Sequence, residues 1–412
     1  MIFRKSMFLV GALALGLAVP TAHATPKRLL PSEKGVPVQF KGYRPGSPVK
    51  INYADWDTIL HAIVMETGKS GREAALPPRH SVGTRVQYGN QSSRRLEGNR
   101  VNFGEFNKPV IRMIHAIRLD LEKVPSGAPL RLWSRNEQLA YWLNLYNITV
   151  VDEIAHRYPI RSLKKLYYGT SRTPSLWDQK ILKVAGVPLS LHDIEHKILI
   201  PKFRNPLVMF GLFHGFVGSS NIRAKAYTAD NVYDLLKENA QEFIQSNRGM
   251  EIRGDTLKVA VLFKAYPDLF PDFNKDMKQL LAYYCAPENR GRVLAAHSVR
   301  ASTRDFYIAD VYGGVKYASD ASVGNVAALM SAFVAPKSGS TQPMVAGDIG
   351  TDLATQNGTF GYSMQGSRLP IQAREYLLKI RKKNKERKGT VDIQEVGSGD
   401  RVQKTDEGSD GS

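Results

Sequence analysis

The chain has 412 residues, with 57 Lys and Arg against 38 Asp and Glu, and a formal net charge of +19. Its single cysteine, Cys285, excludes an intramolecular disulfide, so stability must come from a packed core. No segment has the roughly 18 uninterrupted apolar residues that a spanning helix needs, and the basic excess favours anionic partners.

In chain order, Arg4 and Lys5 precede an apolar run over residues 7–19, and Ala22, His23 and Ala24 form a small-x-small cleavage pattern. Residues 1–24 read as a bacterial signal peptide, with cleavage near Ala24 leaving a periplasmic or secreted protein. Residues 25–44 form an extended leader. Residues 53–65 carry Trp56, Ile59, Leu60 and Ile63 at helical spacing, and residues 66–105 are a polar loop that includes Arg94 and Arg95. A second helix is predicted over 109–124. A third starts at Ser134, with Glu137 three residues on as a capping box, and buries Leu139, Trp142, Leu143, Tyr146 and Val150. Residues 182–184 and 187–189 flank Ala185 and Gly186 as a small hairpin, and Ser190 opens a short helix through His196. Residues 208–213 read as an apolar strand ending at Gly215, 232–244 as a helix, and 250–252 with 257–261 as a hairpin over Gly254 and Asp255. The pattern predicts an α+β fold, a mainly helical domain around a small, mostly antiparallel sheet. Residues 291–370 form a Gly/Ser/Ala-rich extension. Residues 371–412 combine a basic helix with a tail whose composition is that of a disordered segment.

Several polar residues need partners. Asn144 and Asn147 lie on or beside the apolar face of the third helix, where a buried amide must bond either backbone or a ligand. His192 and His196 stand at i and i+4 in an H-x-x-E-H pattern, which puts both imidazoles on one helix face, with Glu195 between them to polarise a water. The competing reading is a capped helix with Asp193 in its first turn and His196 hydrogen-bonded in the core. No cofactor is required, and zinc at His192 and His196 is the metal alternative. Ser219 with His196 or His214 as base is a candidate nucleophile, against an ordinary turn over 218–220. Cys285 has no basic neighbour and reads as a packed thiol. Tyr146, Tyr167 and Tyr168 offer faces for a sugar ring, against the commoner core role. Residues 374–388 hold eight Lys or Arg against two Glu, so Lys382 and Lys383 are candidates for binding an anionic membrane face.

The blocks at 141–147, 190–196 and 210–227, with the 83–100 loop and 227–232, resemble the domain-of-unknown-function family numbered 547 over roughly residues 45–290. The resemblance implies exported bacterial members and no particular activity. In similar members the position of His214 is often cysteine, and a second cysteine or Ser-Pro follows where this chain has Ser219 and Ser220. Position 196 recurs as histidine, whereas position 192 is usually acidic. The favoured reading is an envelope protein that binds an anionic polymer, lipid or glycan, with no physiological nucleic acid partner expected after export. The alternative is a hydrolase or transferase built on His196, Asn144 and Asn147, with His214 and Ser219 at the edge.

Overall fold

The computed structural model describes residues 32–75, 92–315 and 376–383. The expected signal peptide, the start of the leader, residues 76–91 of the polar loop, residues 316–375 and the tail from 384 onward lie outside the described residues. Among those described, no helix is long and apolar enough to cross a membrane.

α1 (Ala54–Ile63) buries Trp56, Ile59, Leu60 and Ile63, as their spacing requires. It runs into β1 (Val64–Met65), which pairs antiparallel with β2 (Arg100–Val101). α2 (Lys108–Gly127) is amphipathic, is capped by Asn107 accepting from Val110 N at 3.0 Å, and packs its Ile114 and Leu121 face on α3. α3 (Arg135–Ala155) is buried almost all round and forms the axis of the core. Ser134 Oγ caps it by accepting from Glu137 N at 3.1 Å. Glu137 turns elsewhere and accepts from Ile51 N at 3.1 Å and the Tyr53 hydroxyl at 3.2 Å, tying the segment before α1 to the start of α3.

After the short α4 (Lys164–Tyr168), β3 (Leu182–Val184) and β4 (Val187–Leu189) form the expected hairpin. Its two turn residues, Ala185 and Gly186, both have positive φ, as a two-residue turn of this hand demands. The helix expected to end at His196 continues to residue 203. Residues Asp193–Leu199 adopt a π-helix that leads into α5 (Ile200–Phe203), with Ile200 N donating to Glu195 O.

The apolar run expected as a strand is instead a 3-10 helix, Pro206–Gly211. Periodicity cannot separate a strand from a helix that is buried on every side. Here Asn205 Oδ1 caps the turn by accepting from Leu207 N, and Pro206 presets its first φ. Side chains satisfy carbonyls that a sheet would otherwise have used. Asn239 Nδ2 donates to Phe210 O, and Asn147 Nδ2 donates to Gly211 O, each at 3.0 Å.

α6 (Val232–Gln245) precedes β5 (Met250–Arg253) and β6 (Thr256–Ala260), an antiparallel hairpin closed at Arg253 and Thr256 over Gly254. α7 (Phe273–Tyr284) and α8 (Pro287–Ala295) lead to β7 (Ser298–Thr303), which lies parallel to β6 and completes a three-stranded sheet in the order β5-β6-β7. The fold is thus α+β with small, mostly antiparallel sheets around a helical core. The change of character expected near residue 290 falls inside α8, and the packed chain continues beyond it. Leu163 N donates to Phe306 O, and Ala309 N to Gly215 O, both at 2.8 Å.

Residues 376–383 are helical and lie against the domain. Leu377 and Ile380 are buried, the Tyr376 hydroxyl donates to Glu105 O at 2.7 Å, and Lys383 pairs with the Glu105 carboxylate. Leu377 and Ile380, part of the apolar side that a membrane-lying helix would present, are therefore covered by the protein itself, while Leu378 stays exposed.

Candidate functional site

Two groups of polar side chains stand out, one closed and one open. The closed one is centred on Glu195. Ser190 and Asp193 start its helix reciprocally, with Asp193 N donating to Ser190 Oγ at 3.1 Å and Ser190 N donating to Asp193 Oδ2 at 2.8 Å. Lys180 and Lys197 pair with Asp193, and these bonds hold its carboxyl well below the usual range against the effect of burial. The wide π-turn that follows is a form often found at functional sites. It directs Glu195 inward, where only 3% of the side chain is exposed.

The Tyr266 hydroxyl donates to Glu195 Oε1, and the Tyr146 hydroxyl donates to Oε2 at 3.3 Å. Trp177 Nε1 donates to the Tyr146 oxygen at 2.8 Å. His214 Nε2 lies 3.5 Å from Oε2, and His196 Nε2 lies 3.6 Å from Oε1. The His214 ring is enclosed by Trp177, Tyr146, Tyr167 and Phe216, and its Nδ1 is 3.1 Å from Leu212 O. Burial alone raises a carboxyl, but the close approach of His214, then of His196, and the Tyr266 hydroxyl outweigh it and hold Glu195 down at about 2. Burial lowers the His196 imidazole despite Glu195, so this ring, which is 27% exposed at the edge of the cluster, is a neutral base at pH 7.

Around this hub the sequence-expected residues take distinct places. Asn147 Oδ1 accepts from Phe213 N at 3.0 Å, so with its bond to Gly211 O this amide clamps the chain immediately before His214. Asn144 does the same for Tyr227, accepting from its N at 3.1 Å and donating to its O at 2.7 Å. Backbone groups, not an open cleft, thus take up both amides. Ser219 Oγ donates to Phe216 O at 2.8 Å and accepts from His214 N at 3.3 Å, so its hydroxyl ties the 214–219 turn and faces no imidazole nitrogen. Gly215 permits that turn with φ +81°, and a Cβ there would strike Ile154. Tyr167 belongs to the aromatic wall around His214, whereas Tyr168 is exposed on α4. His192 and His196 do share one side of the helix, with ring centres 4.4 Å apart. Their nearest carboxylates are engaged, Asp178 by His192 at 2.7 Å and Glu195 by the tyrosines.

The open group was not foreseen from the sequence. A cleft of about 340 Å³ lies between the β5–β6 hairpin, α8 and the chain around residues 72 and 94. Four guanidinium groups, from Arg72, Arg94, Arg253 and Arg292, face a single carboxylate, Glu251. Arg72 sits at φ +63°, uncommon for a residue with a side chain, and donates to Gln245 O and Met250 O. Burial, opposed by Glu97 and Glu251 and reinforced by Arg292, lowers its guanidinium. Arg94 Nε donates to Asn247 O at 3.1 Å, and its Nη2 lies 3.5 Å from Glu251. Arg253 pairs with Glu251. Arg292 is exposed and has no hydrogen bond or ion pair among the described residues. The cleft therefore holds an unbalanced positive charge on planar forks that match carboxylate or phosphate. Its arginines are scattered from 72 to 292, and the one sequence signal was the isolated Arg94 and Arg95 pair.

Residues 130–244 match the model of the family described as Protein of unknown function, DUF547. No curated protein and no solved structure matches the chain. The matched segment supplies Tyr146, Trp177, Glu195, His196 and His214, so it builds the closed cluster except for Tyr266. All the residues lining the arginine cleft fall outside it.

Proposed function

We propose that this is an exported envelope protein that binds an anionic polymer, lipid headgroup or glycan, and that the arginine cleft is where it does so. The observation that carries the reading is the excess of four guanidinium groups over one carboxylate in an open cleft, with Arg292 unpaired. The export signal read at residues 1–24 and the net charge of +19 agree with an anionic partner at the envelope. Phosphate- or carboxylate-bearing ligands fit the planar forks, and each charge-assisted bond contributes about 1.5–3 kcal/mol. Binding is expected to weaken steeply with added salt. The test is titration of the full chain with lipopolysaccharide, an oligogalacturonide and phosphatidylglycerol vesicles at low and high salt. Saturable, salt-sensitive binding to one of these is expected, and equal affinity for neutral vesicles or neutral glycans would refute the reading.

A second reading has one observation in its favour. His196 is a neutral imidazole at the solvent edge of an ionised carboxylate, the pairing used in general-base hydrolysis or transfer. In that reading Glu195 stays ionised and stabilises the imidazolium formed when His196 takes up a proton, while Asn147 and Ser219 position His214. His196→Gln would then abolish turnover of an envelope substrate while leaving its binding in the cleft intact.

A further inference from the structure

A third group of polar side chains, two histidines and an aspartate, lies where α2 meets the end of α3. Asp152 lies in the last turn of α3 and His156 four residues on, just past its end, and His115 faces them from α2. The ligand atoms of the three side chains all lie within 4.8 Å of one another. His115 Nδ1 is 2.9 Å from Asp152 Oδ2, and His156 Nδ1 is 2.8 Å from the Asp152 carbonyl oxygen and 3.2 Å from its Oδ1. We propose that His115, Asp152 and His156 form a site for a borderline divalent cation of the zinc type.

Three features beyond proximity point to a cation. The first is the state of the carboxylate. Asp152 is 1% exposed, and its Oδ1, although near His156, makes no aligned hydrogen bond. A buried carboxylate oxygen in that condition is costly unless a charge meets it. The second is the surrounding shell. Arg118 Nη1 donates to Asp152 Oδ2 at 2.9 Å and to Glu153 Oε1 at 2.8 Å, while its Nε donates to Glu122 at 3.1 Å. Arg157 also pairs with Glu153. Arg118 thereby fixes the Asp152 carboxylate from behind, as outer-shell partners of metal ligands do. Its own charge is matched, because Glu122, Asp152 and Glu153 outnumber Arg118 and Arg157. Three carboxylates against two guanidinium groups leave a negative charge for a cation to meet. The third is access. The two imidazoles are 44% and 48% exposed, so the outward side is open to the ion and to water as a further ligand. Two imidazoles and one carboxylate form a donor set that suits zinc.

The full chain, stripped with a chelator, should be titrated with Co²⁺ followed by its visible absorption, and with Zn²⁺ by calorimetry. One ion per chain is expected, with the intense visible bands of a low-symmetry Co²⁺ site. His115→Ala and His156→Ala should each weaken binding by more than about tenfold. Both histidines are half exposed, so these variants are expected to fold, and circular dichroism checks that they do. His192→Ala serves as the control for the other histidine pair and should bind like wild type. The proposal is overturned by absence of saturable binding in the folded wild-type chain. It is equally overturned if the His115→Ala/His156→Ala double variant binds unchanged, or if His192→Ala is the substitution that removes binding.

Discussion

The Glu195 cluster and the arginine cleft are both concentrations of charge, but their charges face opposite ways. At Glu195 the carboxylate is met by two tyrosine hydroxyls and two imidazoles from four parts of the chain, and only His196 reaches solvent. In the cleft, the fold uses Arg72 and Arg94 to bridge carbonyls, then adds Arg253 and Arg292 with one carboxylate for all four. Charges whose partners all come from the fold report chiefly on stability. Charges that the fold leaves unbalanced beside an open cleft call for a partner from outside. All of the cluster except Tyr266 lies within the family-matched segment, which includes the core helix α3, whereas the cleft lies outside it.

If that distinction is sound, damage to the cluster should unfold the protein and damage to the cleft should not. The largest effect is expected for Glu195→Ala, which strands His214 and two hydroxyls in the core and leaves His196 without its partner at the edge. Removing one member of a buried charge pair costs about 3–5 kcal/mol. Denaturant unfolding should show that loss, and a change below about 1 kcal/mol would mean that the cluster does not carry the fold. Asn147→Ala, which frees Gly211 O and Phe213 N together, is expected to cost about 1–3 kcal/mol. Asn144→Ala at Tyr227 should behave similarly. If either variant kept full stability while losing a ligand, the amide would belong to a binding site instead.

Acidification gives a finer test. His196 is lowered from 6.5, so the unfolded chain takes up that proton first, and stability from the neutral ring fades as pH falls below 6.5. Glu195, held at about 2, contributes fully above 4.5 and loses its contribution as pH falls from there toward 2. Asp310 works in the opposite direction. Burial raises its carboxyl to about 6, so the folded state gains on acidification between 6 and 3.8. The informative quantity is therefore the difference between wild type and His196→Gln. Wild type should lose more stability than the variant between pH 7 and 5, and parallel curves would show that His196 is not held neutral by the fold. The smallest stability effect is expected for Arg292→Glu, within about 0.5 kcal/mol, since the side chain is exposed and unpaired.

Much of the helical frame was legible in the sequence because each amphipathic stretch carries its own period. The faces of α1 and α3, the Ser134 cap and both hairpins, at Gly186 and Gly254, follow from local residues. The Pro206–Gly211 helix was not legible, because its hydrogen-bond partners Asn147 and Asn239 lie about 60 residues upstream and about 30 downstream. The π-helix was hidden for a related reason, since nothing local distinguishes its wide turn from an ordinary one. Asn144, Asn147, His196 and His214 could be singled out as polar residues in apolar surroundings, but not the partners that satisfy them. Tyr266 gave no signal because its partner, Glu195, lies 71 residues away. The arginine cleft and the His115 group were invisible for the same reason, as each assembles residues that are unremarkable one at a time.

The central claim is that the cleft, and not the general basicity of the surface, holds the anionic ligand. It is tested most directly by comparing two variants with equal change in charge. Arg253→Glu/Arg292→Glu reverses the cleft, while Lys164→Glu/Lys165→Glu reverses two exposed lysines on α4. Affinity for the anionic probe that wild type binds should be measured by calorimetry at one fixed ionic strength. The cleft variant should bind at least about tenfold more weakly, given the worth of charge-assisted bonds, while the α4 variant stays within about twofold, as a screened surface change should. Equal losses in the two variants would show that the binding belongs to the basic surface as a whole and would contradict the account.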